Sequence, residues 1–213
     1  MAATRDRLVA AAAAEFAARG FDGAKVDRIA AKARVNKAML YYYFESKAAL
    51  YREILRELFS AVAAAVETGR LAGGAPRDQI KRFVEAVARE AVARPHFPAI
   101  WLREVAEGGR HLDATTLAGM RRVVETLGAI LANGRAAGVF GQAHPIVTQI
   151  AIVAPLLLFV ASAPLRERFK YLLPEALGQP SLDAIVAHVQ AATLSVLTAG
   201  SPPTLSPSRR RRA

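Results

Sequence analysis

Between Arg28 and Phe44 the chain carries Arg28, Lys32, Arg34 and Lys37 and no acidic residue, and Tyr41, Tyr42 and Tyr43 follow in a row. Tyrosine hydroxyls and lysine ammonium groups both donate to phosphate oxygens, the contacts that set a protein's register on DNA. Lys37, Ala38, Tyr41 and Tyr42 are displaced from the line through Leu40 and Phe44, so they can be exposed while those two point inward. The same residues also suit a helical hairpin with half-buried tyrosines, but such a hairpin has no need of the cations. A second cluster, Glu104, Glu107, His111 and Asp113, offers hard oxygen and imidazole ligands. Gly108-Gly109 interrupts it, so a polar helix end is expected there and no metal. His96, His111, His144 and His188 are scattered, and no phosphate loop, nucleophile elbow or dinucleotide fingerprint occurs. No catalytic residue and no cofactor are expected.

The cations of the first cluster need a scaffold, and Val26 to Lys47 supplies one. Val26, Ile29, Ala30 and Ala33 recur at helical spacing, Arg34-Val35 forms a break, and Asn36 suits the N-cap of a second short helix. Ser46 can cap the helix after it. Two short packed helices, the second presenting small, basic and phenolic side chains, make a helix-turn-helix reader. Ahead of it, Thr4 to Arg19 reads as a helix stopped at Gly20, with Phe21 packing back. Arg5 and Arg7 near its start either approach phosphate or form a solvated terminus.

After the reader, a long helix runs from Ser46 to about Thr68, and Gly69 to Pro76 reads as a linker. Further helices are expected over Arg77–Arg94, Phe97–Glu107, Thr115–Ala137, Pro145–Ser162 and Leu182–Thr198. The Pro/Ser-rich and then basic stretch 201–213 reads as a disordered tail. The chain has 213 residues, 53% of them apolar and many of them alanine, which favours helices over strands. Its formal net charge of +11, with four charges in Arg209 to Arg212, points to an anionic partner. Absent cysteine excludes disulfides, thiol catalysis and cysteine-based zinc sites and fits a reducing cytosol. The start, MAATRDRLVAAAAAEF, brings charge early and lacks a clean apolar run, so no secretory signal is expected. Pro145 to Leu165 holds no charged residue, but Gln149, Pro155 and flanking prolines argue for a buried helix over a membrane span.

The reader resembles the DNA-binding domain of the tetracycline-repressor (TetR) family of bacterial transcription regulators. The resemblance is carried by Phe16, Gly20-Phe21, Ile29-Ala30, and Leu40-Tyr41-Tyr42-Tyr43-Phe44 with Lys47 three residues on. It implies that Lys37 and Ala38 face base edges, that Tyr41, Tyr43 and Lys47 hold phosphates, and that Tyr42 lies near the groove. Arg34, Asn36 and Met39 complete the expected DNA-binding set, Met39 either touching a thymine methyl or packing. The chain departs from the family pattern at Lys25, where a threonine or serine usually caps, at Arg34, where glycine is usual, and at Met39. The implied fold is all-α: a DNA-binding domain over 1–47, a helical regulatory and dimerisation domain over 48–200, and the tail.

The resemblance further implies a homodimer in which Pro145–Ser162 and Leu182–Thr198 pair with their copies. Reading DNA tightly with one short helix demands the same, since two readers on a two-fold axis read a near-palindrome in double-stranded DNA. The implied small-molecule pocket lies among the middle helices. Phe83, Phe97, Trp101, Met120 and Leu127 are candidate walls or ordinary core, and His96 and Arg103 candidate polar anchors. A cytoplasmic repressor is the expectation. The rivals are a membrane-associated helical protein and a ligand-binding helical module with a degenerate reader.

Overall fold

In the computed structural model, which describes residues 2–172 and 180–199, ten α-helices and no strand occur among the described residues. The long α1 (Ala2–Gly23) comes first, followed by two short helices, α2 (Val26–Ala33) and α3 (Lys37–Phe44). Gly20, at φ 69° and ψ 179°, breaks the helical path inside α1, so the chain turns at the expected glycine and then makes one more loose turn. Next come α4 (Lys47–Leu71), α5 (Pro76–Ala93), α6 (Phe97–Ala106), α7 (Ala114–Ala136), α8 (Pro145–Ala161) and α10 (Leu182–Ala199). Between α8 and the last helix the structure adds α9 (Ala163–Phe169) and a 3₁₀ turn, Lys170–Leu172, for which the sequence reading had no element. Pro164 starts α9 without harm, because a helix's first turn leaves its amides unpaired anyway. The expected disordered tail, 201–213, lies outside the described residues.

Two apolar cores share α4. One gathers Leu8, Phe16, Ile29, Leu40 and Phe44 around Leu50, Tyr51, Ile54, Leu55 and Leu58, and reaches Phe97, Ile100 and Leu157. The other packs Ala63 and Val66 with Ile80, Phe83, Val123, Leu127, Ile130, Leu156, Val189 and Leu197. Helix α4 packs on α1, α5 and α7, so it joins the reader to everything downstream. Helices α8 and α10 pack on each other and on α5, yet leave Ile146, Val147, Ile150, Leu158 and Val196 more than half exposed. By length and composition alone α10 is apolar enough to cross a membrane, and α8 with α9 would qualify only as a pair bent by 57°.

Candidate nucleic-acid interface

The α1–α2 turn is fixed by a carboxylate. Glu15, on α1, accepts from the backbone amide of Lys25 at 3.5 Å and from Arg28, which also donates to the Gly23 carbonyl at 2.7 Å. Burial would raise the Glu15 carboxyl, but Arg28, the Lys25 amide and Arg19 together hold it below the ordinary carboxylate value. Lys25 has no capping side chain of its own, so Glu15, ten residues upstream, serves the start of α2. At the other end of α2, Arg34 adopts φ 56° and ψ 48°, the left-handed conformation that the family's glycine would take. Its turn closes with the Val35 amide on the Ala30 carbonyl at 3.0 Å. The departures at Lys25 and Arg34 are thus accommodated and the turn is formed.

Asn36 then caps α3, its side-chain oxygen accepting from the Ala38 amide at 3.0 Å. Leu40 and Phe44 are buried, which turns the opposite side of α3 outward. Tyr41 is 45% and Tyr42 72% exposed, and Lys37 and Ala38 are exposed with them. Met39 and Tyr43 are half-buried, with the Tyr43 ring meeting Tyr42 edge to face at 5.2 Å. Lys37 is held by Asp27 of α2, Nζ to carboxylate 2.9 Å, and that partner raises its pKa above the ordinary lysine value. Arg34 and Lys32 are exposed as well.

Lys47 sits otherwise than a simple phosphate ligand would. Its Nζ donates to the carbonyls of Phe21 and Ala24, at 2.9 and 3.1 Å, and lies over the Phe21 ring at 4.5 Å. Two of its three donors therefore bolt α4 to the α1–α2 turn. Arg5 is likewise engaged, with Glu53 and Glu57 of α4, rather than solvated.

Behind this turn lies the acidic cluster. Glu104 is 1% exposed and accepts from the Tyr51 hydroxyl at 2.9 Å, from the His111 amide at 2.8 Å, and meets His111 Nδ1 at 3.0 Å. Burial pushes the Glu104 carboxyl up, but the His111 amide and ring and the Tyr51 hydroxyl outweigh it, and the net shift is downward. The same burial, with Glu104 beside it, pushes the Tyr51 hydroxyl far up. Glu107 and His111 bring ligand atoms within 4.8 Å of Glu104, yet Glu107 is engaged by Arg110 and Glu104 by three donors. Such satisfied carboxylates act as a joint between α4, α6 and the loop before α7. Asp113 separately caps α7 through the Thr116 amide at 2.8 Å.

Among the middle helices, Phe97, Trp101 and Met120 line one apolar cavity of about 70 Å³ together with Phe59, Val153 and Gln149. Phe83 and Leu127 lie in the packed core instead, 1% and 0% exposed. Arg103 and His96 are exposed, and His96 borders a different cavity between α1, α4 and the α5–α6 turn.

The family model for bacterial regulatory proteins of the tetR family matches residues 8–54, and the tetracyclin repressor-like C-terminal domain matches 76–193, more than half the chain. The chain belongs to the TetR family. It is therefore a DNA-binding transcription regulator, and 8–54 contains α2, α3 and most of α1. Among relatives of this TetR-family chain, the HTH-type transcriptional repressor NicS of Pseudomonas putida is 29% identical over 163 residues, covering 75% of this chain and 76% of its own. The regulator RutR of Escherichia coli is 26% identical over 145 residues, 68% of each chain. A tetR-family regulatory protein from Rhodococcus shares the fold with a TM-score of 0.74 at 20% identity, covering 91% and 96% of the two chains. The TetR-family regulator PfmR of Thermus thermophilus does so at 0.70 and 24%, covering 91% and 95%.

The TetR-family reader brings Arg34, Asn36, Lys37, Ala38, Tyr41 and Tyr42 onto or beside one exposed side of α3, leaves Met39 and Tyr43 half-buried on it, and draws Lys47 inward. Sequence reasoning missed Asp27, Lys37's partner. The signal was available: Asp27 is the one acidic residue between Gly23 and Phe44.

Proposed function

We propose that this TetR-family chain is a ligand-responsive repressor that binds a near-palindromic operator as a homodimer in the cytosol. The observation that carries the reading is the exposed row Lys37, Ala38, Tyr41 and Tyr42, held outward by buried Leu40 and Phe44. Lys37 and Ala38 face base edges, Tyr41 and Tyr43 hold phosphates, Tyr42 lies near the groove, and Met39 packs at its edge. Arg34 and the Asn36 amide nitrogen flank the backbone. Lys47 has one N–H left for a phosphate and acts first by holding the turn that presents α3. Residues 1–47 form the reader and 48–200 the regulatory and dimerisation part.

One α3 covers too few base pairs for selectivity, so two are needed about 34–36 Å apart. The exposed apolar sides of α8 and α10 supply a surface for that pairing, since a patch of this kind marks an interface more often than a bare surface. The name of NicS, a repressor, supports repression here. The effector site is the cavity at Phe97, Trp101 and Met120, with Gln149 as its polar group. At about 70 Å³ it admits only a fragment unless its helices move apart, so a ligand that prefers the opened arrangement shifts the balance of states.

Selection of bound duplexes from a random pool at two salt concentrations tests the reading. An enriched near-palindrome, with affinity falling steeply as salt rises, is expected. Salt-sensitive binding with no enriched sequence would overturn it. Tyr41→Phe and Tyr42→Ala should weaken operator binding without moving the unfolding midpoint.

A further inference from the structure

A second cavity, about 420 Å³, lies between the reader and the body, on the other side of a wall of Leu58 and Phe97 that it shares with the cavity at Trp101. Its floor is apolar: Val9 and Ala13 of α1 against Ile54 and Leu58 of α4 and Ile100 of α6. The volume exists because α1 offers alanines, Ala10 and Ala13, where larger side chains would reach the opposite wall. Cavities of roughly 300–1,000 Å³ are the size that encloses small organic ligands, whereas the cavity among the middle helices is several-fold smaller.

The rim sets the charge of the occupant. Glu57 is taken by Arg5 at 2.8 Å, and Arg94 by Glu90. The Asp6 carboxylate, also on the rim and exposed, has no ion pair or hydrogen bond among the described residues. His96 stands on the rim as a hydrogen-bonding group. We infer that this junction is a ligand site for a small molecule with an apolar body and a single cationic nitrogen, the body on Val9, Ala13 and Leu58 and the nitrogen against Asp6. A molecule seated there touches α1 on one side and α4, α5 and α6 on the other. Its consequence for DNA rests on the regulator reading, but its binding does not, so the test omits DNA.

The probes are 1-naphthylmethylammonium and 1-naphthoate, titrated into the full chain with the naphthyl fluorescence as readout. The ammonium is expected to bind saturably and at least 10-fold tighter than the carboxylate. Asp6→Asn should remove most of that preference. Ala13→Phe, which fills the floor, should abolish binding, and Ala10→Leu should weaken it independently should the larger ring disturb folding. Met120→Trp, which fills the other cavity, should leave binding unchanged. Absence of saturable binding, equal affinity for the two probes, or loss with Met120→Trp but not with the α1 variants would each overturn the inference.

Discussion

Arg34 carries the clearest conflict between a residue's own preference and its place. A non-glycine side chain in the left-handed region costs about 1–2 kcal/mol, part of which glycine returns through its looser unfolded chain. Arg34→Gly should therefore raise stability by about 0.5–1 kcal/mol in urea unfolding. If the guanidinium meets a phosphate, the same variant should reduce the salt slope of operator binding by about 1. Asp27 is the second such case. It neutralises Lys37 at the edge of the reader, so Asp27→Asn should strengthen binding to all duplexes several-fold and narrow the gap between operator and random DNA. Competition titrations read both effects. At this scale the caps were legible in the sequence, because Asn36 and Ser46 each bond an amide within three residues. Lys47 was not, since its carbonyl partners lie 26 and 23 residues upstream and meet it only once α1 and α4 are packed.

The helices themselves were largely written in apolar spacing and in glycine and proline, and the observed ends fall close to the expected ones. What spacing could not give is how a chain folds back between helices. The Gly109 amide reaches the Glu104 carbonyl at 2.9 Å, and this reversal brings His111 against the Glu104 carboxylate. A broken helix in the sequence thus became a joint rather than a plain helix end. Its pH signature follows from the sign of the shift. The folded Glu104 pKa is depressed, so its stabilisation is fully present above the ordinary carboxylate value and is lost as pH falls through the lower folded value. Glu104→Gln should cost about 1–3 kcal/mol near neutrality and should flatten the acid side of the stability profile, measured by urea unfolding from pH 7 downward. At the far end of α7, the Phe140 ring folds over Gly134 and leaves no room for a Cβ. Gly134→Ala should lower stability by about 1–3 kcal/mol, the usual penalty of overpacking. The candidate pocket shows the limit of periodicity: Phe83 and Leu127 occupy inward positions like those of Phe97 and Met120, yet do not line that cavity. Whether an inward side chain meets a neighbour or a void depends on packing across helices, which no single helix records.

For the molecule as a whole, composition and helix pattern announced an all-α protein and the charge an anionic partner, while the resemblance carried by Leu40 to Phe44 and Lys47 narrowed that partner to DNA. The proposed pairing surface was legible only as an uncharged stretch, since burial inside the chain and burial against a copy favour the same residues. Ile150 on α8 and Val196 on α10 are 61% and 75% exposed, so Ile150→Glu with Val196→Arg should yield a monomer in sedimentation and reduce operator affinity at least 100-fold. The sharing of α4 has a thermal consequence as well. Leu50, Tyr51, Ile54, Leu55 and Leu58 complete the reader's core, while Ala63 and Val66, further along the same helix, belong to the body's. Neither core can melt without unwinding the helix the other depends on. Calorimetry should show one cooperative transition, and a fragment ending at residue 47, deprived of those five side chains, should remain a random coil even with operator present.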